Sequence, residues 1–136
     1  MIGDTITLAN QPSNTYFPEL PGQVSDLVNV TKVSDEAYGS EYRYRFNLGQ
    51  YTVKVRNTVE KGTVTKPQYN RHNVELTYER FADESDGTPG ATFQAYAVFR
   101  LPSSEAGDEV KSLIYALGQF LNNGASKTYK MLNFES

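Results

Sequence analysis

The chain has no cysteine and no tryptophan, only one histidine and only two methionines in 136 residues. Without cysteine there is no disulfide, no thiolate nucleophile and no Cys-bearing metal site. One histidine excludes two-His metal ligation within a single chain. No apolar run approaches the roughly 18 residues of a membrane helix, so no membrane partner is expected. The opening MIGDTITLANQ lacks a basic end, a long apolar stretch and a cleavage-like site, so a signal peptide is not expected. NVT at Asn29 fits a glycosylation acceptor, but no secretion signal accompanies it. There is no Gly-rich phosphate loop, no nucleophile–base pair and no metal-ligand spacing. Catalytic residues, cofactors and metals are all therefore expected to be none, and the chain reads as a non-enzyme.

Hydrophobic residues make up 38% and charged residues 21%, a globular composition. The length suits one domain, residues 1–136, large enough for a core. The net charge of −3 argues against a surface that is basic all over. It leaves a single basic face open, because net charge says nothing about distribution.

Two periodicities divide the chain. Up to about residue 101 apolar residues alternate with period two, amid many Tyr, Val and Thr, which predicts strands. Six strands are expected: 4–10, 24–33, 40–48, 50–57, 71–81 and 92–102, with Gly49 as the turn between two of them. A seventh at 14–20 is an edge at most, because Pro18 lies within it. Consecutive strands with no intervening helix imply an antiparallel meander. Residues 82–91, ADESDGTPGA, hold three acids and no large apolar side chain, and predict an exposed, mobile projection. From about residue 105 to 134 the period changes. Val110, Leu113, Ile114, Leu117, Phe120 and Leu121 form one helical stripe, with Glu105, Asp108 and Glu109 in its first turns and Asn122–Gly124 as its stop. A shorter helix is expected over 126–134.

The geometry then raises a difficulty. Five strands span roughly 20–25 Å, whereas a helix is only about 10 Å wide. One amphipathic helix cannot cover such a sheet, and the second has little apolar surface. A partner subunit supplying further helices is the expected remedy, giving an α+β homodimer.

When each strand's apolar set is assigned to the covered side, the opposite side carries Thr52, Lys54 and Arg56 from one strand. The next contributes Arg71, Asn73, Glu75, Thr77 and Glu79, and the last Gln94, Tyr96, Val98 and Arg100. Cations neutralise phosphates, amides and hydroxyls read base edges, and an aromatic ring stacks on an unpaired base, a set suited to single-stranded or looped RNA. The same alternation also describes the wet side of any half-buried sheet, since Tyr and Thr are good strand formers. Both readings stand on composition. His72 falls on the covered side and reads as a packed or edge residue, and Asp83, Glu84 and Asp86 as a solvated turn.

The order of these elements resembles the coat proteins of small single-stranded RNA bacteriophages, the levivirus family, with the Q-beta type nearest. The likeness is carried by DTITLAN, YTVKVRN, HNVELTYER, the acidic Gly/Pro loop, FQAYAVFRLP and a helix ending LGQFLNNG. It implies an N-terminal hairpin, a five-stranded antiparallel sheet and two C-terminal helices crossing onto a partner subunit. Dimers would assemble into an icosahedral shell, the virion capsid, built in the bacterial host cytoplasm. Helices would lie outside and the open sheet face would meet the genomic RNA. The resemblance also implies binding of an RNA hairpin that represses replicase translation. Carried over by position, the RNA-binding residues are Thr52, Lys54, Arg56, Asn73, Glu75, Thr77, Tyr96 and Val98, with Tyr96 the base-stacking ring of the QAY motif. Two positions depart from the pattern: Val98 stands where the family usually has Asn or Asp, and Glu75 where a basic residue is common. The loop 82–91 would meet its copies around the symmetry axes, held by packing alone because there is no cysteine. Alternatives are a dimeric RNA-binding regulator that forms no shell, and a structural subunit without nucleic-acid function.

Overall fold

A computed structural model describes residues 3–9, 27–36, 38–123 and 125–133. Six strands, β1 (Thr5–Ala9), β2 (Leu27–Glu36), β3 (Gly39–Phe46), β4 (Gly49–Glu60), β5 (Tyr69–Arg80) and β6 (Ala91–Pro102), precede helices α1 (Asp108–Asn123) and α2 (Ala125–Leu132). The strands form one antiparallel sheet in sequence order, β1 to β6. This is the expected meander, with a correction to its size. β1 pairs with β2 inside the main sheet, so the described sheet has six strands rather than five beside a separate hairpin. The doubtful strand at 14–20 lies outside the described residues.

Tyr51, Val53 and Val55 of β4 are buried, and with Val30 and Tyr42 they form the core; Ile6, Leu8, Phe46, Leu76 and Tyr78 pack against it. The burial alternates with period two because one face of the pleat turns toward the core. Tyr42 donates its hydroxyl hydrogen to the Gly3 carbonyl at 2.8 Å, which ties the chain start to β3. Aromatic rings run across the same face: Phe46 to Tyr51 at 5.8 Å, Tyr51 to Tyr78 at 5.1 Å and Tyr78 to Phe93 at 5.9 Å. Contacts of this kind contribute about 0.5–1.5 kcal/mol each beyond burial. Inside this cluster the Tyr51 hydroxyl is pushed up to about 12, by burial first and by Tyr78 and Tyr44 after it.

Strand ends shift by up to three residues from the sequence reading, two assignments change, and one loop gains detail. Gly49 is not the turn; Asn47 and Leu48 are, and Gly49 opens β4. A side chain at Gly49 would meet the Glu79 carbonyl at 2.6 Å and the Tyr78 ring at 2.9 Å, so the glycine serves close approach of β4 to β5. Glu105 precedes α1, its amide bonded to the Pro102 carbonyl, and the helix starts only after Gly107. Gly107 has φ +93, a conformation that glycine takes without a Cβ penalty, and its carbonyl accepts from the Lys111 amide in the first helical turn. Finally, the 82–91 loop has a structure of its own. Asp83 and Thr88 exchange two backbone hydrogen bonds, Asp83 accepts from the Ser85 amide and hydroxyl, and Asp86 accepts from the Thr88 amide. Short acidic side chains close such turns on themselves. Hydrogen bonding from Thr88, its side chain first and its backbone amide second, holds the Asp86 carboxyl below the usual carboxylate range.

The helices leave the sheet face largely uncovered. α1 packs mainly on α2 and β6. Its stripe stays open, with Leu113 68%, Leu117 44% and Phe120 49% exposed. On the sheet, Phe93 remains 50% exposed although its strand parity puts it beside the core residues.

Candidate nucleic-acid interface

The β4–β5–β6 register brings all eight sequence-derived candidates onto the face opposite the core. Three cross-strand rows carry them: Thr52–Thr77–Gln94, Lys54–Glu75–Tyr96 and Arg56–Asn73–Val98. Neighbouring strands lie about 4.8 Å apart, so each row spans roughly 10 Å from β4 to β6. Tyr96 is 76% exposed. On this face it stands free of the aromatic row behind it. β3 extends the same face with Glu41, Arg43 and Arg45, which alternate with the core-facing Tyr42 and Tyr44. These three were readable from period two in SEYRYRF, although the open face taken from the sequence alternation used only the next three strands.

The acids on this face are engaged away from Lys54 and Arg56. Glu75, directly across from Lys54, accepts from Thr77 at 3.2 Å and from Gln94 at 3.4 Å. Glu79 accepts from Gln50 at 2.8 Å, and Glu41 pairs with Arg43 at 2.9 Å. Glu60 binds Arg100 at 2.6 Å across 40 residues of sequence, which pushes the guanidinium pKa up, by that hydrogen bond first and the opposite charge second. Arg100 also lies 4.8 Å over the Tyr69 ring. Among the described residues Lys54 and Arg56 form no ion pair. Arg71, opposite Thr58 and one row beyond Arg56, has a buried Nε without a partner, and Asn73 has a buried Oδ1 without one. Arg71 was on the open face in the sequence reading but outside the candidate set; its register beside Arg56 makes it part of the same cationic cluster.

His72 lies on the opposite face, its Nδ1 2.7 Å from Asn57 Oδ1, in a cross-strand pair that uses its polarity locally. Among the described residues no group of His, Asp and Glu side chains is arranged to hold a metal.

Residues 23–102 match the family described as the phage phiCb5 coat protein. The chain belongs to that coat protein family. The match covers β2 to β6, the part of the chain that builds both faces of the sheet. Membership gives the chain a structural role in a virion capsid, through self-assembly with its own copies. It upholds the likeness to RNA phage coat proteins and points to the phiCb5 branch, with the Q-beta type left to the quoted motifs alone. No curated protein matches the chain.

Proposed function

We propose that this coat protein acts as a homodimer whose polar sheet face binds the single-stranded genomic RNA inside an icosahedral shell. The observation that carries this reading is the register itself. It aligns Lys54, Arg56 and Tyr96 on one exposed face, while every neighbouring carboxylate is bonded elsewhere. Cations without local partners attract phosphate, and an exposed ring offers a stacking platform. Thr52, Thr77 and Asn73 supply hydroxyl and amide groups for sugar, phosphate or base edges. Glu75 acts indirectly, orienting Thr77 and Gln94, and Val98 offers an apolar contact.

The dimer rests on two unsatisfied surfaces of the single chain. The α1 stripe and the half-exposed β6 side of the apolar face both lack cover. A twofold arrangement with each subunit's helices over the other's sheet would cover both at once, as isologous contacts do. β6 is also the outer strand of the described sheet, with a backbone edge able to pair with another copy. Assembly takes place in the bacterial cytoplasm, and hairpin recognition at the replicase start would repress its translation.

Expression in bacteria followed by electron microscopy and nucleic-acid extraction tests the reading. Particles containing RNA, and fewer nucleotides per particle in Lys54→Ala with Arg56→Ala, are expected. Particles that pack equal RNA in the double variant would overturn the RNA role of this face.

A further inference from the structure

Val64 sits at one end of the sheet, in the connection between β4 and β5, and is fully exposed. Its turn is nevertheless closed. Thr63 and Lys66 exchange backbone hydrogen bonds at 2.9 and 3.3 Å, and the Thr63 hydroxyl accepts from the Lys66 amide at 3.2 Å. Lys61 and Lys66 flank the valine, and among the described residues neither forms an ion pair. A lone exposed valine is ordinary. The opposite end of the sheet gives this one a counterpart. There a recess of about 130 Å³ is lined by Phe46, Leu48, Tyr78, Phe81, Asp83 and Asp86 among others. An apolar cavity of about 150 Å³ takes benzene, so this one has room for an isopropyl group. Leu48 stays 54% exposed. The two carboxylates accept from neutral donors of Ser85 and Thr88, so they keep their charge. Arg80, the cation in the lining, is engaged by the Pro89 carbonyl at 3.0 Å and the Phe93 ring at 5.6 Å.

We propose that the recess receives the β4–β5 turn of a second copy of this chain, with Val64 seated on the apolar lining and Lys61 and Lys66 beside Asp83 and Asp86. Two observations choose that occupant. Residues 82–91 hold three acids and no cation, whereas residues 61–68 hold two cations and no acid. Within one chain the two features cannot meet, because β4, 12 residues long, holds them roughly 35–40 Å apart. The contact is therefore head to tail between copies. A twofold contact closes on itself, whereas a head-to-tail contact repeats around an axis and can close into a ring. The recess lies apart from the α1 stripe and the β6 side, which the twofold contact uses. The inference rests on the reading of the chain as a shell-forming subunit, and does not depend on RNA at the polar face.

The absence of cysteine supplies the probe. In particles of the double variant Leu48→Cys with Val64→Cys, oxidation with diamide should join chains into covalent trimers and higher multimers, since each chain carries both halves of the contact. Neither single variant should cross-link. Val64→Ser places a polar, turn-forming residue at the tip. It should leave the dimer unchanged and raise the protein concentration needed for particles about tenfold or more. Particles of the double variant that stay uncross-linked, with Val64→Ser assembling as the parent does, overturn the contact while the shell reading survives. Cross-linking by Val64→Cys alone would also overturn it, by showing that like turns meet. Should the double variant not assemble, Val64→Ser decides by itself. If the parent protein forms no particles, both readings fail.

Discussion

Leu113→Ala offers the sharpest measure of the proposed dimer. In the single chain Leu113 is 68% exposed, the most open aliphatic residue of the α1 stripe. Burying a whole Leu side chain is worth about 1.5–3 kcal/mol, so covering the exposed part is worth about 1–2 kcal/mol per subunit. Twofold symmetry counts it twice, giving about 2–4 kcal/mol per dimer, or roughly 30- to 1,000-fold in the dissociation constant. The substitution is clean because Ala and Leu are both strong helix formers, so α1 itself should persist. Sedimentation at concentrations below shell assembly gives the monomer–dimer equilibrium, and circular dichroism reports the helix. Lys111→Ala, two residues away on the opposite side of the helix and with its side chain bonded only to Asp108 at 3.4 Å, is the control and should shift the equilibrium by less than about 0.5 kcal/mol. A Leu113→Ala protein that keeps its helix content and dimerises within about threefold of the parent would refute the reasoning, since a shift that small is under 1 kcal/mol.

Four further outcomes are expected. Tyr51 has its ionisation raised from an ordinary value of about 10 to about 12, so its contribution is intact below the lower value and is lost as pH rises through the upper. Urea unfolding should therefore weaken across that window in the parent protein and less so in Tyr51→Phe. Lys54→Ala or Arg56→Ala should weaken binding of all RNAs alike and lower the salt slope by about one, whereas selective loss for one hairpin would argue for base reading instead. Val98 cannot hydrogen-bond a base, so Val98→Asn should sharpen discrimination between hairpins at fixed salt, and an unchanged ratio of affinities would count against contact there. Deleting residues 85–88 opens the Asp83–Thr88 turn while sparing the sheet, and should leave dimers intact but change or abolish the shell; unchanged particles would remove the loop from inter-dimer contacts.

Most of the sheet could be read from the chain because period two is strong wherever one face is buried. Tyr51, Val53 and Val55 alternate with Thr52, Lys54 and Arg56, and a slip of one residue would have exchanged the two sets. That is why eight candidates chosen from sequence fall in three adjacent rows. The local errors have a common cause. Gly49 looks like a turn residue, but its role depends on β5, a neighbour about 30 positions away in sequence. Glu105 has the charge of a first helical turn, yet Gly107 sets the start. Residues 82–91 form the exposed projection that their composition implies, while the backbone and side-chain bonding of Asp83, Asp86 and Thr88 within it shows only in the structure. The pairing of Glu41, Glu60, Glu75 and Glu79 was equally hidden, because the choice of partner for a carboxylate on a sheet is a matter of rotamers and register.

That last point decides what kind of RNA binding the proposed face supports. Counted as charges along the strands, four carboxylates stand among its cations, and a uniform field would be nearly cancelled. The structure places the cancellation unevenly. Glu41 and Glu60 take Arg43 and Arg100, at the flanks, while Glu75 and Glu79 turn to neutral Thr and Gln side chains. Because those partners are neutral, Glu75 and Glu79 keep their charge, and the positive potential is concentrated at Arg56 and Arg71, in adjacent rows of β4 and β5, more than at Lys54. Glu75 still lies across from Lys54 and screens it from the Tyr96 side, so a phosphate is drawn toward Arg56 and the β3 edge more than toward β6. Removing that screen is informative. Glu75→Gln keeps an acceptor for Thr77 and Gln94 but deletes the charge, so RNA affinity should rise and the salt dependence should steepen. Electrophoretic mobility shifts of one hairpin across a salt series read both quantities. Weaker binding in Glu75→Gln would mean that the carboxylate itself contacts RNA, and the screening account would then be wrong.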